Sequence, residues 1–326
     1  MRYLYVTGGK QKPRLLKSEE EWNLYERALI LRLDTQAKTS EVCVDYVSPA
    51  EAQPDDVSSI LFKAGTLEGR RMWVTTSTEV LIYDVPGFQA AGRISLPCFH
   101  DVHHVVPTPE GNLLIANTGL DMVAEITPDG KTLREWDVLG EPLWTRFSRE
   151  TDYRKVASTK PHKSHPNFVF FLGNEPWVTR FKQKDALCLT QPERRIAIEV
   201  EKPHDGVKFG EWIYFTTVDG RVVIANQRSL SVEQVVDLNK IDGGEGHILG
   251  WCRGILVVDE RRVWVGFTRI RHTKFKENVL WVKHAFHEVD RPTHMTLYDL
   301  VEKKALTEIN LEECGVNIIF GILPAT

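Results

Sequence analysis

Three histidines, His104, His165 and His204, each stand at the start of a similar segment, in which an apolar run, a turn and a second apolar run follow. A fourth copy of the segment starts at Arg253 instead. The same polar residue at the same place in repeated units predicts that several imidazoles meet at one point. Neutral imidazoles are good ligands for divalent Zn, Fe, Mn or Cu. We therefore expect these three histidines to bind a divalent metal.

Other histidines bear on this prediction. His247 lies in the segment that enters the Arg253 copy and is a candidate fourth ligand. His103 replaces His104 as a ligand if the register of that strand is shifted by one residue. His162 and the histidines after residue 270 are expected to be incidental. The competing interpretation needs no metal, because a histidine at the start of a buried strand can simply hydrogen-bond a neighbouring backbone group.

Charged residues near the histidines suggest that the substrate is anionic. Arg253 and Arg180 are expected to bind a carboxylate or phosphate group of the substrate. Asp205 directly follows one of the candidate ligands and is expected to orient its imidazole. Trp144 and Phe147 lie in a long segment outside the repeats, which we expect to form a partial lid.

The elements that must position these residues are short β-strands. Runs such as Met72–Thr76, Leu113–Asn117 and Trp212–Thr217 alternate with turn signals, and four runs recur in every roughly 40 to 60 residues. Such units are the blades of a β-propeller. Blades begin near Ser59, His104, His165, His204 and Arg253, and a sixth combines Val316–Ile322 with Arg2–Gly8.

The sequence thus predicts an all-β fold, a six-bladed β-propeller of four-stranded antiparallel blades. Pairing of the N- and C-terminal strands is expected to close the ring, since it removes exposed sheet edges. We expect one propeller domain over residues 1–326, with insertions at about 138–163 and 268–293.

Composition narrows the range of partners. The chain is 42% hydrophobic with a formal net charge of -4, so nothing favours nucleic acid as a partner. No apolar run approaches the roughly 18 residues of a membrane span. The five cysteines are scattered and lack metal-site or redox spacing, which favours reduced thiols and a cytoplasmic location. We expect a small-molecule substrate, and the oligomeric state is left open.

Several motifs resemble a known superfamily: His100-Asp-Val-His-His-Val105, Ala116–Asp121, Pro203–Gly206 and Gly250–Gly254. They are similar to those of the gluconolactonase/regucalcin, NHL-repeat and strictosidine-synthase-like six-bladed propellers, and look most like uncharacterised bacterial members. The resemblance implies one divalent cation on the propeller axis. Gluconolactonase-type enzymes hold it with Glu, Asn and Asp. Here the matching places carry His104, His165, His204 and Asn317, which implies a softer metal and argues against simple lactonase activity.

Three classes of function follow. The first is a metal-dependent hydrolase or lyase acting on a small anionic substrate at the mouth of the propeller channel. The second is an Fe(II)-dependent oxygenase with a multi-histidine site. The third is a non-catalytic propeller that binds a ligand or a protein on the same face.

Overall fold

Twenty-four strands in six antiparallel sheets make up the part of the chain that the computed structural model describes, residues 1–13, 24–55, 58–243, 248–270 and 291–325. The short 3-10 helices of this part are Ala50–Ala52, Thr118–Leu120, Tyr153–Lys155 and Leu238–Gly243. Within these ranges no helix is long and apolar enough to cross a membrane.

Each sheet is one blade of four strands. Blade 6 combines β1 (Tyr3–Gln11), β2 (Tyr25–Asp34) and β3 (Thr39–Tyr46) with the C-terminal strand β24 (Ile318–Pro324). Blade 1 consists of β4 (Gly65–Glu68), β5 (Arg71–Thr75), β6 (Val80–Asp84) and β7 (Gln89–Ile94). Blade 2 consists of β8 (Val102–Pro107), β9 (Leu113–Asn117), β10 (Met122–Ile126) and β11 (Thr132–Asp137). Blade 3 consists of β12 (Pro166–Leu172), β13 (Glu175–Arg180), β14 (Asp185–Cys188) and β15 (Arg195–Ala197). Blade 4 consists of β16 (Pro203–Phe209), β17 (Trp212–Thr217), β18 (Arg221–Asn226) and β19 (Val232–Asp237). Blade 5 is β20 (Trp251–Val257), β21 (Arg262–Thr268), β22 (His294–Asp299) and β23 (Lys304–Asn310).

Pairing of the two chain ends closes the ring. The innermost strand of blade 6 is β24, and its register with β1 pairs Val6 with Ile322 and Gly9 with Ile318. The six innermost strands, β4, β8, β12, β16, β20 and β24, contact one another in sequence around the axis. The predicted six-bladed fold and its closure are confirmed.

The core lies between the blades. Six apolar clusters each fill the space between two neighbouring blades. Trp177 of blade 3, for example, is fully buried and packs in one cluster with Ile213 and Phe215 of blade 4. The outermost strands are far more exposed, and β11 has no buried residue. Apolar side chains on the inner strands therefore fix how each blade stacks on the next.

Two further features bear on the site. Residues 138–165 separate β11 from β12, at the place of the first predicted insertion. The second predicted insertion falls largely on residues 271–290, which lie outside the described residues. The five cysteines are free thiols, and two of them, Cys188 and Cys252, are buried.

Candidate functional site

A cavity of about 530 Å³ lies on the face where the innermost strands begin. His103, His165, His204 and Arg253, from four consecutive blades, all line it. The strands β8, β12, β16 and β20 each have a register shift near their start. A bulge takes a side chain out of the regular alternation of a strand. The first residues of these strands can therefore face the cavity while the following residues face the neighbouring blades.

His103, and not His104, is the histidine of β8 that lines the cavity. The His104 side chain lies between blades, 2% exposed, with its ring stacked on Phe168 at a centroid distance of 3.6 Å. Its Nδ1 accepts a hydrogen bond from the backbone N–H of Val169 at 3.3 Å. The cavity position expected for His104 is therefore occupied by the preceding residue, His103. His104 itself packs between blades and hydrogen-bonds a neighbouring backbone group, as the competing interpretation describes.

Asp101, His162 and His165 form a compact group of possible metal ligands. One ligand atom from each lies within 4.8 Å of those of the other two. The two imidazole Nδ1 atoms are 2.9 Å apart. Bonds of 2.0–2.1 Å to a tetrahedral metal place two nitrogens about 3.3 Å apart, so the pair would have to open by a few tenths of an ångström to hold a divalent cation. His162, which was expected to be incidental, is thus part of the group.

Two more imidazoles lie beside this group. The ring centroid of His103 is 4.8 Å from that of His165 and 6.4 Å from that of His204. The centroids of His165 and His204 are also 6.4 Å apart. The structure therefore brings His165 and His204 together, as the repeats indicated, and adds His103 and His162 to them.

Lys63, at the entry to the innermost strand of blade 1, was missed in the sequence. Its side chain is 3% exposed, and its ammonium group donates a hydrogen bond to the Asp101 carboxylate. Its Nζ is also 3.4 Å from Nδ1 of His103. In blades 3 and 4 the residues that accept the corresponding threonine hydrogen bond are Pro166 and Asp205, not the histidines, so the repeats gave no signal for this lysine.

Burial keeps the imidazoles of His103, His162 and His165 neutral. It lowers the pKa of His103 to about 3, with a further contribution from the nearby Lys63 ammonium, and it also lowers the pKa of His162 and His165. For Asp101, burial raises the pKa, but the adjacent Lys63 ammonium outweighs it and holds that pKa well below its usual range. Neutral imidazoles beside an ionised carboxylate are in the protonation state that metal ligation requires.

A buried carboxylate, Asp121, holds the loop that carries His162 and His165. It accepts hydrogen bonds from three consecutive backbone N–H groups, those of residues 163–165, at 2.7–2.9 Å. Arg146 donates to the same carboxylate through both terminal nitrogens, at 2.9 and 2.8 Å. Since these bonds fix the backbone between the two histidines, the geometry of the pair is built into the fold.

Threonines of several second strands, or just after them, fix the innermost strand of the next blade. In each case the hydroxyl donates to a backbone carbonyl near the cavity. The pairs are Thr7 with Lys63, Thr118 with Pro166, Thr179 with Asp205 and Thr268 with Ile319. Repeated threonines in the sequence thus position the backbone from which the cavity residues project.

Arg253 lines the cavity, as expected for a residue that binds substrate. Its guanidinium lies over the ring of Phe320, 3.6 Å from the centroid, and its Nε donates to the carbonyl of Ile319 at 3.0 Å. His247, the proposed fourth metal ligand, lies outside the described residues.

The two other predicted site residues are bound elsewhere. Arg180 forms a buried two-point ion pair with Asp185 at 2.8 and 2.5 Å, and it does not line the cavity. Asp205 accepts hydrogen bonds from the hydroxyl of Thr216 and the backbone N–H of Gly254. Burial raises the pKa of Asp205 to about 6. Both residues therefore join structural elements, in contrast to the roles in substrate binding and imidazole orientation expected for them.

The first insertion contributes to the cavity through its second half. Residues 156–158 and 160–162 line the cavity. Trp144 and Phe147, the expected lid residues, pack instead against a buried apolar cluster of Leu120, Met122 and Tyr153. The expectation of an aromatic lid at these two positions thus differs from the structure.

Comparison with known proteins supports the fold and does not identify a family. No protein-family model matches the chain, and no curated protein matches its sequence. A crystal structure of a protein of unknown function from Bacteroides caccae aligns with a TM-score of 0.62 at 13% identity, over 99% of this chain and 98% of that one. Virginiamycin B lyase from Staphylococcus aureus, with quinupristin, aligns with a TM-score of 0.48 at 11% identity, over 81% and 84% of the two chains. The dihydro-heme d1 dehydrogenase NirN aligns with a TM-score of 0.44 at 12% identity, over 94% of this chain and 53% of that one. The first likeness agrees with the propeller architecture, and at such identities none of them assigns chemistry to this site.

Proposed function

We propose that this protein is a metal-dependent hydrolase or lyase that acts on a small anionic substrate in the cavity. The observation that carries the proposal is the grouping of ligand atoms from Asp101, His162 and His165 within 4.8 Å. Two imidazoles and one carboxylate are the protein ligands of many catalytic metal sites. Three protein ligands leave a coordination position open for water or substrate.

The donor residues have the surroundings that such a site needs. Lys63 donates to Asp101 and so fixes the carboxylate, while Asp121 fixes the backbone of His165. A divalent cation held there would supply Lewis-acid polarisation of a substrate carbonyl or phosphoryl oxygen. His103 and His204 line the same cavity beside these donors.

The charge of the cavity supports an anionic substrate. In the described part of the chain its lining includes four cationic side chains, those of Lys160, Lys182, Lys202 and Arg253, and one carboxylate, Asp101. Asp101 is already paired with Lys63. A concave site with cations in excess raises the local concentration of anions and favours their binding.

An Fe(II)-dependent oxygenase is the second candidate. The donor set itself favours it, since two histidines and one carboxylate with open positions also bind Fe(II) in oxygenases. Zinc hydrolases use a similar set. The identity of the metal therefore separates the two candidates.

The test is reconstitution of chelator-treated protein with Zn(II), Mn(II) or, without oxygen, Fe(II). Each form is then assayed on carboxylated aryl esters and lactones for proton release, and for oxygen uptake after air is admitted. Hydrolysis or elimination with Zn(II) or Mn(II), absent from a His162→Ala/His165→Ala variant, is the expected result. Substrate-dependent oxygen uptake with Fe(II) alone would favour the second candidate. Tight ligand binding without turnover in any form would favour a non-catalytic binding propeller.

A further inference from the structure

Part of the cavity wall is aromatic. This aromatic wall consists of Phe181, Trp251 and Phe320, which come from blades 3, 5 and 6. The rings of Phe181 and Trp251 are nearly parallel, with an interplanar angle of 22° and centroids 6.4 Å apart. Both rings are partly exposed, and neither belongs to the apolar clusters found in the described residues. They therefore contribute surface to the cavity in addition to any packing role.

Cations accompany these rings. Nζ of Lys202 lies 5.8 Å from the centroid of Phe181, and the Arg253 guanidinium lies 3.6 Å from that of Phe320. Asp101, the carboxylate that the described residues contribute to the lining, is paired with Lys63. The aromatic wall thus offers flat apolar surface and positive charge together, which suits a ligand with a flat apolar body and a negative group.

The aromatic wall also adjoins the metal-ligand group. The centroid of Phe181 is 4.9 Å from that of His165 and 5.5 Å from that of His204. A ligand ring that stacks on Phe181 would consequently have its substituents within reach of His165. Binding at this wall would therefore orient a substrate toward the proposed metal.

We infer that the aromatic wall is the subsite for a planar aromatic carboxylate, so that the substrate class is that of aromatic acids bearing a hydrolysable or eliminable group. The ring stacks on Phe181 and Trp251, and Lys202 binds the carboxylate with support from Arg253. This inference rests on the proposed function, because it names the substrate class of the same site. The cavity volume of about 530 Å³ is in the range of pockets that hold ligands of this kind.

The test is calorimetric titration of the full-length protein with 2-naphthoate, with acetate and 2-naphthalenemethanol as probes that lack the ring or the charge. We expect 2-naphthoate to bind more tightly than either probe. Lys202→Met keeps the aliphatic stem and removes the charge, so it should weaken 2-naphthoate binding by roughly threefold to tenfold. The matched control is Lys208→Met, an exposed lysine in β16, the strand that directly follows Lys202, which should leave binding unchanged. Lys202 is chosen over Arg253 because Arg253 also donates to the backbone of β24.

Titrations with and without chelator separate this inference from the proposed function. Selective 2-naphthoate binding that depends on Lys202 in protein without metal would support the subsite, even if no metal site exists. Equal affinity for 2-naphthoate and acetate, or equal effects of Lys202→Met and Lys208→Met, would overturn the subsite whatever the metal content. Phe181→Leu offers a second check, because it should weaken 2-naphthoate and leave acetate binding unchanged.

Discussion

The Nδ1 atoms of His162 and His165 lie 2.9 Å apart in the wall of the cavity. Two protonated nitrogens cannot face each other at this distance, so at least one of the pair presents a lone pair. The two rings therefore either share one proton or bind one cation together. Asp101 lies close enough to complete a three-ligand set, and this relationship is the basis of the proposed metal site.

Substitution of His104 should lower the stability of the fold and leave the cavity site intact. Because its buried ring stacks on Phe168 between blades, His104→Ala should lower the free energy of unfolding by about 2 kcal/mol. His103→Ala, in the cavity wall, should change ligand binding more than stability. Urea unfolding and 2-naphthoate titration of both variants measure this. If His104→Ala instead changed ligand binding more than stability, and His103→Ala did the opposite, His104 would have to be assigned to the site.

The Lys63–Asp101 pair should be important for stability. Lys63→Met leaves a largely buried carboxylate without its cation, which we expect to cost about 3 kcal/mol of unfolding free energy. An exposed ion pair provides the control: Lys304→Met, which breaks the contact with Glu302, should cost less than about 0.5 kcal/mol. Chemical unfolding of the two variants measures the difference. Equal costs would mean that the pair at the cavity is as solvated as a surface pair.

Much of the fold could be predicted because its signals are local. Apolar runs and turns recur in every blade, and the complementary ends Arg2–Gly8 and Val316–Ile322 each lack the strands that the other supplies. These patterns depend on few residues at a time, so the blade number and the closing pair follow from the sequence alone.

The cavity was harder to predict because small backbone irregularities decide which side chain faces it. The bulge in β8 sends His103 to the cavity, where the alignment of the repeats favoured His104. Arg180 looked available to substrate because its partner, Asp185, lies on the next strand and is revealed by pairing in space. His162 comes from an insertion, which no repeat pattern can place.

The buried carboxyl of Asp205 should make stability depend on pH. Burial raises its pKa to about 6 from 3.8, so the unfolded chain loses this proton at lower pH than the folded protein does. Rising pH between about 4 and 6 therefore favours unfolding. Relative to Asp205→Asn, the native protein should lose up to about 3 kcal/mol across this window. Urea unfolding of both proteins at several pH values isolates the effect, since all other groups are shared. A difference in unfolding free energy between the two proteins that stays constant with pH would contradict this prediction.

Closure of the ring should be sensitive to one glycine. A Cβ atom at Gly8 would lie 1.9 Å from the carbonyl oxygen of Ile318, where β1 meets β24. Gly8→Ala should therefore lower the free energy of unfolding by about 2 kcal/mol or more. Gly87→Ala is the control, because nothing lies within 4 Å of a Cβ there, and it should stay within about 0.5 kcal/mol. Similar stabilities of the two variants would argue against this close approach of the chain ends.

The central claim is tested most directly by the metal content of the protein. Untagged protein purified without chelator is analysed by plasma mass spectrometry beside His162→Ala/His165→Ala and a His104→Gln control, each checked for folding by circular dichroism. We expect near one equivalent of Zn, Fe, Mn or Cu in the native protein and in His104→Gln, and little in the double variant. Absence of metal from the native protein even after reconstitution, or full retention in the double variant, would contradict the account.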